Sequence, residues 1–142
     1  MSSKQVRDLT KAHLVATWTA TPIHGEENEF EEPPSTLEPW MTYGFLSSGE
    51  LKKSIGAPGS NCFEESGTVF ITVYVPSGTG SNSALGYAET LRGMMRGLTL
   101  GHGLRFTTID PPETTFPSRV QSSVGNWFGY SVACHYIYDY SA

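Results

Sequence analysis

Cysteines and basic side chains are both scarce in this sequence. Cys62 and Cys134 are the only cysteines among 142 residues, which excludes a disulfide-rich secreted scaffold, and we expect both thiols to be reduced. Nine Lys and Arg stand against 14 Asp and Glu, so the formal net charge is -5. A protein that holds nucleic acid by its phosphates ordinarily carries a cluster of basic residues, and the sequence contains none.

Long apolar runs are also missing. No segment approaches the roughly 20 consecutive apolar residues that a membrane-spanning helix needs. The first residues lack the apolar core of a secretory signal, so we expect the chain to be inside a cell during its synthesis, with no membrane partner. No internal repeat or linker divides the sequence, and its length predicts a single domain over residues 1–142.

Motifs for metal binding and nucleophilic catalysis are missing as well. The histidines show no H-x-x-x-H or His/Cys spacing of the kind that zinc sites use. His24 lies near Glu26 and Glu27 and could ligate a metal, but carboxylates in a loop are more often simply solvated. No serine stands in a G-x-S-x-G turn, and neither cysteine has a histidine in a recognisable activating pattern. We therefore predict no metal, no cofactor and no catalytic residue.

The glycine-rich segment 73–85 lies between a predicted strand and a predicted helix, where many proteins bind phosphate. A Walker loop needs a lysine after its last glycine, and no lysine follows Lys53 anywhere in the chain. A dinucleotide-binding turn needs a third glycine after Gly78 and Gly80, but Ser83 occupies that position. We interpret the segment as a flexible turn whose last polar residues cap the following helix.

Hydrophobic periodicity predicts two helices. The first begins near Ser2 and ends near Ala16, with one face formed by Val6, Leu9, Ala12, His13 and Ala16. Leu14 and Trp18 lie nearly opposite, so either the pattern changes phase at the helix end or a neighbouring subunit covers a second face. The second helix runs from about residue 81 to 95 or 96, and its core stripe is Ala84, Ala88, Leu91, Met95 and Leu98.

Alternating patterns predict strands at residues 40–46, 68–75, 103–110 and 128–140. The second strand places on one face Val69, Ile71, Val73 and Val75. The last strand places on one face Phe128, Tyr130, Val132, Cys134, Tyr136 and Tyr138. The intervening stretches are rich in turn formers. Residues 21–39 are predicted as a loop with at most one short strand, residues 47–61 as a hairpin tip or loop, and residues 113–126 as a loop. This order of elements predicts an α+β domain with a mostly antiparallel sheet and two helices packed on one face.

The glycines of the second helix are unusual for a monomer. Gly86, Gly93 and Gly97 lie within about 40° of one another around the helix axis, opposite the core stripe. Each interior glycine costs roughly 1 kcal/mol relative to alanine, so the stripe is either tolerated on an exposed face or allows close approach by another subunit. Arg92 and Arg96 flank the stripe and could meet carboxylates of that subunit. This face is therefore a candidate assembly interface.

The run from Glu65 to Met95 resembles the tail terminator, or tail completion, proteins of long-tailed phages and gene transfer agents. In that family a valine-rich strand passes through a turn with proline and glycine into a helix rich in alanine and leucine, as happens here at Pro76, Gly78 and Gly80. An upstream segment is similar too, and its characteristic residues here are Asn28, Phe30, Pro33, Pro34, Pro39 and Trp40. The similarity spans nearly the whole chain.

The resemblance implies a structural, non-enzymatic virion protein at the head-proximal end of the tail, assembled in the host cytoplasm. Such proteins form a homohexameric ring on the last ring of the tail tube, stop its polymerisation and present the surface that joins the head. The implied partners are further copies of the chain, the tail tube protein and a head-side neck or connector protein. DNA would pass through the ring without specific binding, and an acidic protein without basic patches suits that passage.

Aromatic residues dominate interface hot spots, so we expect aromatic anchors in the contacts of this ring. The candidates are Phe30, Trp40, Phe70 and Tyr74. A run of carboxylates is expected to face the lumen or the tail tube, and consists of Glu26, Glu27, Glu29, Glu31 and Glu32.

Two other functions stay open at this point. A related one is another neck or tail-tube component, because those families share small ring-forming domains. A different one is a small ligand-binding or hydrolase-like α+β domain that uses the loop of His24 or the strand face of Tyr136 and Tyr138.

Overall fold

The computed structural model describes residues 4–26, 38–57, 59–78, 82–101, 103–121 and 126–141, with the side chains of 24–26, 114–121 and 126 left aside. The elements follow in the order α1 (Lys4–Thr17), β1 (Ile23–Glu26), β2 (Trp40–Lys52), β3 (Cys62–Pro76), α2 (Asn82–Met95), β4 (Thr99–Leu100), β5 (Leu104–Ile109), β6 (Glu113–Gln121) and β7 (Asn126–Ser141). Neither of these helices is long and apolar enough to cross a membrane.

The strands form one sheet in the order β1-β2-β3-β7-β5-β4, and β6 also pairs with β7. β1 runs parallel to β2, and the other pairs are antiparallel. At the centre, β3 and β7 stay in unbroken register from the Cys62–Ser141 pair to the Pro76–Trp127 pair. β5 and β6 pair with successive parts of the other edge of β7. The predicted α+β class with a mostly antiparallel sheet is confirmed.

Both helices pack on one face of this sheet, the helix face. β3 contributes its alternate valines and isoleucine, from Val69 to Val75, and each is at most 1% exposed. Cross-strand partners such as Val132 and Cys134 of β7 lie on the same face, because directly paired residues point the same way. α2 adds its buried side chains, Ala84, Ala88, Leu91 and Met95. The predicted packing of both helices on one face is confirmed.

The buried stripe of α1 differs from the predicted one. Val6, Thr10 and Leu14 are the buried residues of the helix, and Trp18 follows it into the core, whereas Ala12 and Ala16 are exposed. The larger side chains decide which way the helix turns because they bury more apolar area than alanines do. Since Leu14 and Trp18 are buried within their own chain, no neighbouring subunit is needed to cover them.

Two stretches that were predicted as a hairpin tip or loop and as a loop contain strands in the structure. β2 continues from residue 47 to 52 alongside the first half of β3, with one irregularity between Ser47 and Gly49. β6 occupies residues 113–121 beside β7, within the predicted loop 113–126. Both segments lack apolar alternation, and backbone pairing to a neighbouring strand maintains them instead. We use the name hairpin arm for residues 46–67, which comprise the outer half of β2, its connection and the first half of β3.

Gly67 and Gly97 are two of the positions where the local geometry requires glycine. A Cβ on Gly67 would lie 2.5 Å from the carbonyl oxygen of Leu46 and 2.6 Å from Oη of Tyr136, so only glycine lets the tyrosine cross β3 there. Gly97 has φ of 68° directly after α2, which is the left-handed conformation common at a helix C-terminus. The predicted position of Gly97 after the last helical turn is confirmed.

Candidate assembly surfaces

The outer part of the hairpin arm is the most apolar exposed surface among the described residues. Leu46 is 57% exposed, Leu51 is 62% exposed, and Ile55 in the connection is fully exposed. Glu50 and Lys52 lie beside them, are exposed, and have no ion-pair partner within the described ranges. The sequence does not identify this surface, because residues 47–61 show only the turn formers of a hairpin tip or loop.

The outer face of α2 is a second, different surface. Gly86 and Gly93 are exposed, and a Cβ added to either would have no other heavy atom within 4 Å. Leu85 beside them is 36% exposed. Arg96 is exposed and unpaired among the described residues, whereas Arg92 lies 3.5 Å from Glu89 on the same helix. The glycine stripe therefore forms a recess that is open to a partner in the isolated subunit.

Phe70 is the one predicted aromatic anchor that the isolated subunit exposes among those described. It lies on the opposite face of the sheet, which no described helix covers, and is 36% exposed. Its cross-strand neighbours are Gly44 of β2 and Ala133 of β7. Because both neighbours are small, the ring stands above the sheet surface.

The predicted anchors Trp40 and Tyr74 belong to an aromatic cluster within the subunit. The Trp40 ring stacks on Tyr74 with centroids 4.4 Å apart and meets Trp127 edge-on at 6.0 Å. Trp40 is only 1% exposed, and Tyr74 is half-buried. Such a cluster stiffens this end of the sheet, and a direct interface contact by either residue stays a prediction.

The other predicted site residues lie outside the described part of the chain. Phe30 and the carboxylates from Glu27 to Glu32 fall in residues 27–37, and only the backbone of Glu26 is described, as the last residue of β1. Their predicted position at the lumen or tail tube stays a prediction.

The tyrosines of β7 that could have formed a ligand site are occupied by other parts of the chain. Tyr136 donates a hydrogen bond to Glu65 at 3.2 Å, and Tyr138 donates one to Gln5 of α1 at 2.5 Å. Burial, followed by the nearby carboxylate of Glu65, raises the pKa of Tyr138. The Tyr138 hydroxyl fastens the start of α1 to the sheet, and the Tyr136 hydroxyl joins β7 to β3, so both hydroxyls of the ligand-binding alternative are already engaged within the subunit.

A hydroxyl, an imidazole and a carboxylate meet on the opposite face. His135 bonds through Nδ1 with Thr68 Oγ1 at 3.0 Å and through Nε2 with Asp110 at 2.9 Å. Thr68 is 6% exposed, and it lies in a strand paired on both sides, so its backbone neighbours donate within the sheet instead of to an oxyanion. The group joins β3 and β7 to the end of β5, which is a structural role.

The remaining chemistry of the described residues is equally inert. Both cysteines are free thiols, which confirms the predicted reduced state. Burial, helped by the charge of Asp110, raises the pKa of Cys134 to about 12, so its nucleophilic thiolate does not form at neutral pH. Within the described ranges, no group of His, Cys, Asp and Glu side chains is arranged to hold a metal ion.

Comparison with known proteins complements this geometry. A family model described as "Phage tail terminator protein" matches residues 5–136. A search of curated proteins found no match. One solved structure is similar over 100% of this chain and 96% of that chain, with a TM-score of 0.58 and 18% sequence identity. At that identity the solved structure supports the fold alone, whereas the family match covers most of the chain.

Proposed function

Because the chain belongs to the phage tail terminator protein family, we propose that it closes the head-proximal end of the tail tube as a homohexameric ring. Members of the family are structural, non-enzymatic tail components of the virion that cap the tail tube. The finer proposal is that the ring stops tube polymerisation, presents the head-joining surface and lets DNA pass through its centre. The family match over residues 5–136 is the observation that carries this proposal.

Two unlike exposed surfaces support a ring. When two different patches of identical subunits bind each other, every added subunit still has one patch free for the next. The series closes into a ring when the rotation between neighbours divides a full turn evenly. The hairpin arm and the outer face of α2 are such patches, since they lie on different elements and are both exposed in the isolated subunit.

The distribution of charge supports passage of DNA without binding. On the opposite face of the sheet, Lys53 lies 2.9 Å from Glu64, and Arg105 lies 2.9 Å from Asp139. These cations are already neutralised by carboxylates, and the whole chain is acidic. Such a surface has little affinity for phosphates, because affinity for DNA comes mainly from free basic groups.

The proposed partners are the last ring of the tail tube on one side and a head-side neck or connector protein on the other. The acidic segment from Glu26 to Glu32 is proposed to face the lumen or the tube. Phe70 is the proposed aromatic contact that the subunit presents without rearrangement.

Electron microscopy of particles made without this protein tests the proposed function. We expect tails of uncontrolled length that do not join heads, and we expect added purified protein to restore normal joining. Size-exclusion chromatography with light scattering would show rings, or a monomer that assembles only on tail tubes. Normal, head-attached tails in its absence would refute the proposal.

A further inference from the structure

We propose that two copies of the chain pair symmetrically through the outer edge of β2, antiparallel, with the two-fold axis beside Leu51. Glu50 of each copy then faces the partner's Lys52. This contact goes beyond the proposed function, because neighbours within a head-to-tail ring bind through two different patches, whereas a two-fold contact uses the same patch twice. It joins a subunit to a copy outside its own ring.

The outer half of β2 has an open edge within the described part of the chain. β3 occupies the inner edge of β2 from Trp40 to Lys52. On the outer edge, β1 pairs with β2 only as far as Tyr43. An open edge presents unpaired backbone N–H and C=O groups, and a strand from another chain can pair with them.

The hydrogen-bond pattern of β2 decides which residues can pair across this edge. The backbone N–H of Lys53 donates to the carbonyl oxygen of Cys62 on β3 at 2.8 Å, so Lys53 and Leu51 direct their backbone groups inward. Glu50 and Lys52 alternate with them and direct theirs outward. Antiparallel strands exchange hydrogen bonds where both paired residues point toward each other. Pairing Glu50 with the partner's Lys52 meets that condition, and the two-fold axis repeats the pair.

The charged side chains are complementary in this same register. Glu50 and Lys52 are exposed, and they lie on the helix-face side of β2 with their cross-strand neighbours Glu65 and Phe63. Glu50 lies directly opposite Glu65, and like charges in that position destabilise a strand pair. The partner's Lys52 would lie on the other side of Glu50 and offset this repulsion.

The apolar side chain lies on the other side of the strand. Leu51 is 62% exposed and points to the opposite face of the sheet, because it alternates with Glu50 and Lys52. At the two-fold axis it meets the partner's Leu51 in a pair without hydrogen bonds, where Cα atoms are about 4.5 Å apart and side chains are close. Gly49 lies opposite the partner's Lys53 and leaves room for that side chain. A second copy is the occupant because one alignment matches charge on one side and apolar surface on the other.

Exchanging the charges tests the pairing. The variants are Glu50→Lys, Lys52→Glu and the double exchange, and Glu113→Lys is the matched control because Glu113 is an exposed carboxylate on β6. Sedimentation equilibrium measures the mass from about 1 μM to about 1 mM, where a contact of this small size is expected to associate. Thermal unfolding confirms that each variant is folded.

We expect the wild type and Glu113→Lys to double the mass of their starting species, subunit or ring, as the concentration rises. Each single exchange should raise the dissociation constant roughly tenfold or more, because like charges then face each other twice. The double exchange should pair again. An equimolar mixture of the two single variants should pair as well, because every facing charge in the mixed dimer is again opposite.

Disulfide formation tests the position of the axis. Leu51→Cys, made together with Cys62→Ala, should form a covalent dimer under mild oxidation, because a Cα separation of about 4.5 Å lies within the disulfide range. Ile55→Cys with the same Cys62→Ala change is the matched control. Ile55 is at least as exposed as Leu51, but the proposed register does not bring it to its own copy, so it should cross-link much more slowly.

A wild-type mass that does not double over this range would overturn the inference and leave the proposed ring on the tail intact. Doubling that the single exchanges do not weaken, or that neither the double exchange nor the mixture restores, would overturn it too. Equal cross-linking of Leu51→Cys and Ile55→Cys would do the same. Normal, head-attached tails without the protein would refute the proposed function alone, because the pairing is measured without tails.

Discussion

At the scale of single residues, Gly67 is a position with little tolerance for a side chain. A Cβ there would overlap the carbonyl oxygen of Leu46 and the hydroxyl of Tyr136, and the latter is held by Glu65. Moving the tyrosine would break a buried hydrogen bond, and moving the backbone of β2 would disturb the sheet. The absence of a side chain at Gly67 of β3 therefore makes room for the large side chain of Tyr136 on β7.

Gly67→Ala is expected to lower the free energy of unfolding by about 1–3 kcal/mol, the usual cost of overfilling a packed site. Urea denaturation of the isolated protein measures the change. Gly49→Ala is the matched control, because a Cβ at Gly49 meets nothing within 4 Å and the residue is also in a strand. Equal stability of the two variants would contradict the packing described here.

The two cysteines should differ in reactivity. Cys62 is partly exposed, whereas Cys134 is buried with a pKa raised to about 12. At pH 8 a thiol reagent should therefore modify Cys62 in the folded protein and Cys134 only after denaturation. Rapid modification of both thiols under native conditions would contradict the placement of Cys134.

The same pKa has a consequence for stability. The folded value lies above the ordinary value of 9.0, so the folded chain holds this proton more tightly than the unfolded chain does. The resulting stabilisation is fully present below pH 9 and is lost as the pH rises toward 12. Replacing Cys134 by alanine should remove the contribution of this thiol to the loss of stability between pH 9 and about 12. Urea denaturation at several pH values in that range measures the change.

At the scale of elements, α2 carries glycines where the folded subunit does not require them. Gly86 and Gly93 have space around them, and no positive φ is recorded for either. The roughly 1 kcal/mol of helix stability that each glycine costs relative to alanine is therefore not offset within the subunit. A partner that approaches the helix closely would supply the compensation.

Gly86→Leu together with Gly93→Leu is expected to stabilise the isolated subunit, by up to about 1 kcal/mol for each glycine removed from the helix interior. The same variant should block assembly, because the new side chains fill the recess. Thermal unfolding and light scattering measure the two effects separately. A stabilised variant that still forms rings would remove α2 from the interface.

Elements with apolar alternation could be predicted from the sequence, and those maintained by backbone pairing could not. The valines of β3 and the aromatic residues of β7 identify their strands, because one face of each is buried. The outer half of β2 and all of β6 show no such pattern, since neighbouring strands supply their hydrogen bonds. The same limit applies to the predicted interface. Trp40 was a candidate aromatic anchor there, but its side chain lies in the core. An aromatic residue suits a core and an interface equally well, and only the fold separates them.

At the scale of the whole molecule, the described helices cover only one side of the sheet. The helices fill one side with apolar packing, and the other side carries paired charges around Lys53, Arg105 and Asp139. A net charge of -5 is therefore accompanied by local neutralisation of the basic groups on that side. This side of the sheet should therefore have little affinity for DNA.

The purified protein is accordingly expected to run through a DNA column at about 0.15 M salt, where binding of this kind depends on free basic residues. Reversing Glu64 and Asp139 to lysine should cause retention that salt removes. Glu38→Lys, an exposed reversal elsewhere, is the control for a general effect of charge. Retention of the wild-type protein would contradict the neutralised surface.

The unbroken ladder between β3 and β7 has a mechanical consequence. All 15 residues of β3 face β7, and the hydrogen bonds between antiparallel strands run perpendicular to the strand direction. A force that slides one strand along the other must stretch all of those bonds together, whereas a force that peels the pair apart breaks them one after another. A subunit loaded along this axis will therefore resist tension far better than its modest size would lead one to expect.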